Sequence, residues 1–196
     1  MVPYVHPTAE VEEGASIGEG SFVWRNAHIR TGASIGDGCV VGGGAFVDTG
    51  VRVGNRVKIE NQAMLFAPAQ VDDGVFIGPG ACLTNDVRPR AVTPEGEPKR
   101  TNDWEPHGVE IRRGASIGAM AVVLPGVVVG AWAMVGAGAV VTSDVPSHAL
   151  FFGNPARFRG WICRDGLALP KSLRCVCGRT YERIGAGLEL RGGPSA

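Results

Sequence analysis

The sequence predicts an all-β solenoid of stacked coils, and three observations support this fold class. Aliphatic residues recur every six positions, small residues follow them at a fixed distance, and 30 of the 196 residues are glycine. A six-residue unit is too short for a helix that buries its own face, but it accommodates a short strand and a turn. Stacking such units at the inter-strand spacing of about 4.8 Å buries a continuous aliphatic column.

The aliphatic period runs unbroken from Val5 to Leu83 and restarts at Ile111. Fourteen consecutive positions at six-residue steps are aliphatic in the first run, and six more follow in the second. The separation between Leu83 and Ile111 is not a multiple of six, so an insertion interrupts the repeat. Glycine often follows the aliphatic residue, as Gly36 does. We expect glycine to tolerate the unusual backbone angle at the corners of the coils.

Composition excludes several classes of protein. The formal net charge is 0, which argues against a nucleic-acid or anionic-membrane partner bound by bulk charge. Residues 114–143 carry no charge, yet their period and their glycines favour the core of the solenoid over a membrane span. The N-terminal residues lack the pattern of a signal peptide, and the cysteines form an odd set of five. We therefore expect a cytoplasmic protein with reduced thiols.

The repeat unit resembles that of a known family. Its form at Ile35-Gly36-Asp37-Gly38-Cys39-Val40 is similar to the hexapeptide repeats of a class of acyltransferases. The resemblance implies a left-handed parallel β-helix with three hexads per coil and assembly as a homotrimer. We accordingly predict a β-helix acetyltransferase domain over residues 1–160, with a loop insertion at 85–108. Residues 161–196 are predicted to form a C-terminal cap in which Trp161 and Phe158 cover the last coil.

A second resemblance is more specific and concerns the end of the first run. The segments Gly74-Val75-Phe76-Ile77-Gly78-Pro79, Leu83-Thr84-Asn85 and Pro89-Arg90 are similar to nucleotide-sugar N-acetyltransferases that act on a 3-amino sugar. The resemblance implies acetyl transfer from acetyl-CoA to the C3 amine of a nucleotide-linked sugar, for surface-polysaccharide or glycoconjugate synthesis. We rank a UDP-2-acetamido-3-amino-2,3-dideoxy-glucuronate-like acceptor first and a dTDP-3-amino-6-deoxy sugar second. Leu83 replaces the usual Phe of the motif, which leaves the acceptor open.

The predicted catalytic residues are Asn85 and His107, at the two ends of the insertion. In the resembled family an asparagine orients the amine and the leaving thiolate takes the proton, and Asn85 matches that asparagine. A purely structural alternative is that Asn85 caps the loop through an Asx turn. His107 is the alternative base for the reaction.

Substrate and coenzyme contacts are predicted on both sides of the insertion. Arg88 and Arg90 can hold a pyrophosphate or a sugar carboxylate through charge-assisted contacts, and Asn61 is the third predicted acceptor contact. The resemblance implies that coenzyme A lies in a groove between the coils of neighbouring subunits. The residues predicted to contact it are Gly118, Ala119, Gly136, Ala137 and Arg157.

Two rival functions stay open from the sequence. One is O-acetylation of a sugar hydroxyl with a histidine base, and the other is a non-catalytic trimeric scaffold. Carbonic-anhydrase-like relatives bind zinc through three histidines, but the four histidines here are scattered, so we assign no metal site. Zinc at Cys163, Cys175 and Cys177 is the less favoured interpretation, because Asp165 stands where a fourth cysteine is needed.

Overall fold

The computed structural model describes residues 1–193, apart from the side chain of Thr101, and these residues form a parallel β-solenoid without an α-helix. Its coils are built from two-residue strands separated by corners of four residues. The first run of the repeat supplies β1 (Tyr4–Val5), β2 (Glu10–Val11), β3 (Ser16–Ile17), β4 (Phe22–Val23), β5 (His28–Ile29), β6 (Ser34–Ile35), β7 (Val40–Val41), β8 (Phe46–Val47), β9 (Arg52–Val53), β10 (Lys58–Ile59), β11 (Met64–Leu65), β12 (Gln70–Val71), β13 (Phe76–Ile77) and β14 (Cys82–Leu83).

The second run supplies β15 (Glu110–Ile111), β16 (Ser116–Ile117), β17 (Val122–Val123), β18 (Val128–Val129), β19 (Met134–Val135) and β20 (Val140–Val141). A single turn of 3₁₀ helix, Thr101–Asp103, lies between the two runs. The chain then forms four longer strands, β21 (Ala149–Phe152), β22 (Arg157–Trp161), β23 (Thr180–Ile184) and β24 (Gly187–Gly192).

Three parallel sheets form the faces of the solenoid, each taking every third strand. Face A contains β1, β4, β7, β10, β13, β16, β19 and β21; face B begins with β2 and face C with β3. Ile59 lies in register between Val41 and Ile77, so three hexads complete one regular coil. The predicted all-β solenoid is confirmed, and its architecture is consistent with the left-handed β-helix that the resemblance implies.

The aliphatic column predicted from the six-residue period is the core of the solenoid. From Val23 onward the column is buried, and Ile59, Leu65 and Ile77 are fully inaccessible to solvent. Val5, in the first coil, is 39% exposed because no coil lies beneath it. Small residues at the corners complete the same core cluster. Burial of β-branched and aliphatic side chains in one continuous column is the main stabilising term of such a fold.

The corners use glycine for two separate reasons. Gly36, which directly follows an aliphatic residue, is required by close approach, since a Cβ atom there would lie 2.5 Å from the carbonyl oxygen of Gly54. The left-handed backbone angle occurs instead two residues later, at Gly38, with φ of 63°. Glycine therefore carries the unusual corner angle, as expected, and does so at Gly38. Gly36, directly after the aliphatic residue, serves the close approach of the coils instead. Stacked coils approach too closely at that place for any side chain.

The break in the period is an insertion in one coil. Val71 pairs with Ile111, so this coil is more than twice as long as a regular one. The extra residues leave the solenoid after β14 on face B and return before β15 on face C. A two-residue bridge between Val92 and Pro98 and the 3₁₀ turn give the loop its internal structure.

The C-terminal residues close the last coil. Strand β22 runs antiparallel to β21 and is the last strand of face A, which covers the open edge of that sheet. Trp161 packs against the core, and the Phe158 ring contacts it edge-to-face with ring centroids 4.8 Å apart while staying 46% exposed. Strands β23 and β24 form a separate hairpin with its own small core.

The uncharged stretch 114–143 forms β16 to β20 and the corners between them. Within the described residues, no helix has the length and apolar character needed to span a bilayer. The stretch is apolar because its side chains fill the solenoid core.

Candidate active site

The neck of the inserted loop brings Asn85 and His107 together. The backbone N–H of His107 donates to the carbonyl oxygen of Asn85 at 2.9 Å, so the two residues close the base of the loop. Both stand at the corner between face B and face C, here called the B/C corner. The side-chain amide of Asn85 donates from Nδ2 to the carbonyl oxygen of Ala67, one coil earlier, at 2.6 Å.

This bond leaves the Asn85 side chain with a defined chemical capacity. Its donor is committed to the backbone of Ala67, and among the described side chains and backbone groups its Oδ1 atom receives no hydrogen bond. An amide oxygen held in this way can accept an N–H from an incoming amine and so orient the amine's lone pair. The side chain is partly buried, which limits competition from water.

Two cavities in the inserted loop carry the predicted acceptor residues. The larger, of about 700 Å³, is lined by Arg88 and Arg90 together with apolar residues and Lys99. The smaller, of about 370 Å³, is lined by His107, Arg88 and Lys99. The structure thus brings both predicted arginines and the alternative base into one loop. Arg88 and Lys99, which line both cavities, supply positive charge suited to an anionic substrate.

Sequence reasoning missed several residues of the smaller cavity. Asp103, Trp104 and Glu105 line it beside His107, although the sequence there shows only a charged, proline-rich loop. The hexapeptide period could not locate these residues because the loop lies outside the repeat. Asp103 ends the 3₁₀ turn Thr101–Asp103, and Trp104 and Glu105 follow it on the way to His107.

The four small residues predicted to contact coenzyme A stack at the corner between face A and face B, here called the A/B corner. Gly118 and Ala119 follow β16, and Gly136 and Ala137 follow β19 one coil later. A Cβ atom at Gly118 would lie 2.4 Å from the backbone nitrogen of Ala137, so the coils approach too closely for a side chain at Gly118. Ala119 is half-buried and Ala137 is exposed, so a ligand can reach this corner.

The backbone amides of the four residues at this corner differ in whether they already donate a hydrogen bond within the coil stack. Those of Gly118 and Gly136 donate to Val135 and Phe151 within the coil stack, both at 2.8 Å. The N–H groups of Ala119 and Ala137, by contrast, donate to no acceptor within the described part of the chain. Of the four predicted contacts, the two alanines are therefore the ones whose amides can bind a ligand carbonyl.

The corner between face C and face A shows why these two amides are free. There the equivalent backbone N–H, that of Asp37, donates to the side chain of Asn55 in the next coil at 2.9 Å. The backbone N–H of Asn55 in turn donates to the side chain of Asp73 at 2.8 Å. Small residues take the corresponding places at the A/B corner near the C-terminal coils. The absence of accepting side chains among the described residues leaves the amides open.

Arg157 and Asn61 lie along the same A/B corner. Arg157 is exposed and pairs in register with Phe152, whose Cβ atom lies 2.7 Å from where a Cβ of Gly136 would be. Asn61 lines a groove of about 430 Å³ with Trp24 and Arg25, and its Oδ1 accepts from the N–H of Gly43 at 2.8 Å. Within one chain, Asn61 is thus apart from the loop that holds Arg88 and Arg90.

The remaining thiols and histidines of the solenoid have structural surroundings. Burial raises the pKa of both Cys39 and Cys82, which disfavours a thiolate nucleophile at either position. His28 bonds Glu12 at 2.8 Å. His148 is 3% exposed, bonds the carbonyl of Ile162 at 3.0 Å, and has its pKa lowered by burial.

Comparison with known proteins supports the likeness that the repeat unit indicates. Residues 4–49 and 108–143 match the family model described as bacterial transferase hexapeptide (six repeats). The two ranges contain β1 to β8 and β15 to β20, so hexapeptide repeats are matched in coils before and after the insertion.

Curated relatives narrow the similarity to acetyltransferases. The chain is 45% identical over 75 residues to a dTDP-3-amino-3,6-dideoxy-α-D-galactopyranose 3-N-acetyltransferase of Aneurinibacillus thermoaerophilus, a match that covers 37% of this chain and 39% of that protein. It is 41% identical over 90 residues to serine acetyltransferase 4 of Arabidopsis thaliana, over 45% of this chain and 24% of the relative. The chain thus spans less than half the length of these relatives.

A solved structure extends the likeness over more of the fold. A hexapeptide-repeat-containing acetyltransferase of Vibrio cholerae, solved in complex with acetyl coenzyme A, matches with a TM-score of 0.56 and 27% sequence identity. The match covers 66% of this chain and 70% of that one.

Proposed function

We propose that the chain transfers an acetyl group from acetyl-CoA to the amino group, at C3, of a nucleotide-linked amino sugar. The observation that carries this proposal is Asn85, whose Oδ1 atom is available to an amine at the neck of a loop that holds a cavity lined by Arg88, Arg90 and Lys99. The likeness to a 3-N-acetyltransferase of a dTDP-linked sugar, and to an acetyltransferase solved with acetyl-CoA, supports the same reaction. That likeness favours a dTDP-linked acceptor over the UDP-linked one.

The proposed reaction needs no side-chain base. The neutral sugar amine, oriented by Asn85, attacks the thioester carbon and forms a C–N bond, which leaves a tetrahedral oxyanion. Collapse of that intermediate breaks the C–S bond and expels the thiolate of coenzyme A. The thiolate takes the proton that the nitrogen loses, so the products are the N-acetyl sugar and the free thiol.

Coenzyme A, when bound, supplies the activated acetyl group. The free amides of Ala119 and Ala137 suit the amide carbonyls of its pantetheine arm, and Arg157 suits its phosphates. Both alanines lie on the A/B corner, whereas Asn85 lies on the B/C corner, at the opposite edge of face B. Within one chain, the corner proposed to bind acetyl-CoA and the loop proposed to bind the sugar therefore lie at opposite edges of face B.

A homotrimer resolves this separation. If face B of three copies surrounds a threefold axis, the A/B corner of each copy lies beside the B/C corner of the next. The outward residues of face B suit such packing, because they are mostly apolar: Phe46, Met64, Cys82, Val122 and Val140. We propose that the active enzyme is this trimer and that it acts in the cytoplasm, with its cysteines reduced.

The test is mass spectrometry of the products formed from acetyl-CoA and a panel of acceptors. The panel contains a dTDP-3-amino-3,6-dideoxyhexose, the UDP-linked 3-amino glucuronate, the 3-hydroxy counterpart of each, and serine. We expect one acetyl group to be added to a 3-amino nucleotide sugar and none to its 3-hydroxy counterpart. Acetylation of hydroxyl acceptors only would overturn the proposal in favour of O-acetylation with His107 as base. No product from any acceptor would favour the scaffold.

A further inference from the structure

The C-terminal residues fold into two equivalent turns that the solenoid does not explain. The first spans 161–169 and the second 173–181, and each backbone hydrogen bond within the first recurs twelve residues later. Cys163 donates its N–H to Leu167 at 2.9 Å, and Cys175 donates to Arg179 at 2.8 Å. The N–H of Gly166 donates to the carbonyl of Cys163, as that of Gly178 does to Cys175. The N–H of Leu169 donates to Trp161, as that of Tyr181 does to Leu173. The bridges Ile162–Ala168 and Arg174–Thr180 correspond in the same way.

This internal repeat aligns the potential metal ligands. Cys163 corresponds to Cys175, and Asp165 corresponds to Cys177. Each turn therefore presents one cysteine and, two residues on, a second residue whose side chain can bind a cation. Asp165 takes the place of a fourth cysteine by backbone geometry as well as by sequence spacing.

The three thiols converge on one point. The Sγ atoms of Cys163, Cys175 and Cys177 all lie within 4.8 Å of one another. Thiolates that bind Zn²⁺ tetrahedrally at about 2.3 Å are separated from one another by about 3.8 Å, so small side-chain rotations bring these three into range. Cys163 and Cys175 are buried, which excludes water from most of the cluster.

The size of the hydrophobic core around the thiols indicates a structural need. The cluster contains only four buried residues among those described, Cys163, Cys175, Tyr181 and Leu188. Segments of fewer than about 40 residues generally require a metal, a disulfide or a partner for stability. The cysteines of this segment are free thiols. A bound ion would join the two turns and secure the cap on the last coil.

We propose that Cys163, Cys175 and Cys177 bind one Zn²⁺ ion, with the carboxylate of Asp165 as the fourth ligand. Thiolates favour zinc among the common divalent ions, and a carboxylate completes a closed tetrahedral site. The Asp165 carboxylate accepts a hydrogen bond from Nη1 of Arg179 at 2.6 Å. The carboxylate lies outside the group of three mutually close thiols, so the Asp165 side chain has to rotate to reach the ion. Since a carboxylate has two oxygens, one can bind the ion while the other keeps Arg179, whose charge offsets part of the excess negative charge of the site.

The test uses the full chain after treatment with a chelator under reducing conditions. Co²⁺ is added as the spectroscopic probe, and Zn²⁺ is then added to displace it. We expect one Co²⁺ per chain, with the sulfur-to-cobalt charge-transfer and visible bands of a tetrahedral thiolate site, and loss of both bands on addition of Zn²⁺. Chelation should also destabilise the C-terminal cap. The measurement is the rate of hydrogen exchange at the Tyr181 amide, which should rise when the metal is removed.

Variants distinguish this site from adventitious binding. Cys163→Ser should lower Zn²⁺ affinity by more than the roughly 10–100-fold that loss of an outer-shell partner costs, while Cys82→Ser on β14 should leave it unchanged. Asp165→Asn should weaken binding, and Asp165→Cys should strengthen it. Cobalt spectra without charge-transfer bands, equal binding by Cys163→Ser, or a disulfide among the three thiols under reducing conditions would overturn the site. Equal affinities for both Asp165 variants and the parent would overturn the assignment of the fourth ligand.

Discussion

Asn85 and His107 share one backbone hydrogen bond but differ in what their side chains can do. Asn85 is held by the carbonyl of Ala67, whereas the exposed His107 lines a cavity in the loop. The rigid side chain is suited to orient a nucleophile, and the exposed one is suited to exchange protons with solvent. The proposed mechanism uses only the first of these.

We expect Asn85→Ala to lower kcat by about 10²–10³, the usual loss when a positioned polar group that acts in the transition state is removed. His107→Ala should cost less than about tenfold, because general base catalysis of the usual 10²–10⁴ size is not used. The measurement is steady-state kinetics at saturating acetyl-CoA, with coenzyme binding and oligomeric state checked for both variants. The opposite order of effects would make His107 the base and return hydroxyl acceptors to contention.

The sequence predicted where Asn85 stands, but not which backbone amides are available. The period places Gly118, Ala119, Gly136 and Ala137 at one corner, and the structure confirms that placement. Only the contacts between successive coils show that the glycine amides are occupied and the alanine amides are free. That distinction depends on side chains one full coil away, which no local pattern reports.

Corners also connect one coil to the next through charged side chains. At the first B/C corner, Glu12 accepts hydrogen bonds from the backbone N–H and the hydroxyl of Thr31, both at 2.8 Å, and contacts His28. The Thr31 N–H, followed by His28, lowers the pKa of Glu12 from 4.5 to about 2. The carboxylate form therefore stabilises the stacking of the first two coils.

The sign of this effect gives a pH prediction. A carboxyl group with a lowered pKa contributes its stabilisation fully above its unfolded value of 4.5 and loses it as the pH falls toward about 2. Glu12→Gln should therefore speed hydrogen exchange of the Thr31 amide at pH 6, and this difference from the parent should shrink steadily between pH 4.5 and pH 2.

Glu13→Gln is the matched control, because Glu13 is the neighbouring carboxylate and its replacement removes the same charge. Exchange at Thr31 should be almost unaffected by this variant. Equal effects of the two substitutions at pH 6 would show that the tie between the coils is a matter of net charge and not of the hydrogen bonds to Glu12.

Among the structural elements, those inside the repeat were predictable and those outside it were not. The strands from Val5 to Leu83 and from Ile111 to Val141 lie where the period requires, because one residue in six must face the core. The antiparallel pairing of β22 with β21 and the two equivalent C-terminal turns lie outside the six-residue repeat, so its period does not predict them. They depend on contacts with the last coil and with each other.

On the scale of the whole molecule, the three faces differ in their outward residues. Faces A and B both present mainly apolar side chains, while face C presents mainly polar ones, Ser16, Ser34, Arg52, Gln70 and Glu110. Phe46, Phe66 and Phe76 are each half-buried. The Phe46 ring meets that of His28 edge-on, with centroids 5.5 Å apart, and lies tilted against that of Phe66 at 5.6 Å. These rings cover part of one another, and Met64, at 39% exposure, is the more open apolar residue of face B.

Complementation between two variants tests most directly whether the acetyl-CoA corner and the sugar-binding loop of one active site come from different copies of the chain. Asn85→Ala removes the side chain that orients the sugar amine at the B/C corner. Ala137→Trp places a large side chain at the exposed position of the A/B corner that is proposed to bind acetyl-CoA. The two variants are co-expressed with different tags, and doubly tagged particles of three times the 20.4 kDa chain are isolated.

Each variant alone should be nearly inactive. Every mixed trimer has about one site in three that combines an intact A/B corner from one copy with an intact B/C corner from its neighbour, whichever variant supplies two of the copies. We therefore expect the doubly tagged particles to regain about a third of the parent kcat per chain on the 3-amino nucleotide sugar. Mixed particles no more active than the average of the two variants, or a monomeric parent that is fully active, would contradict it.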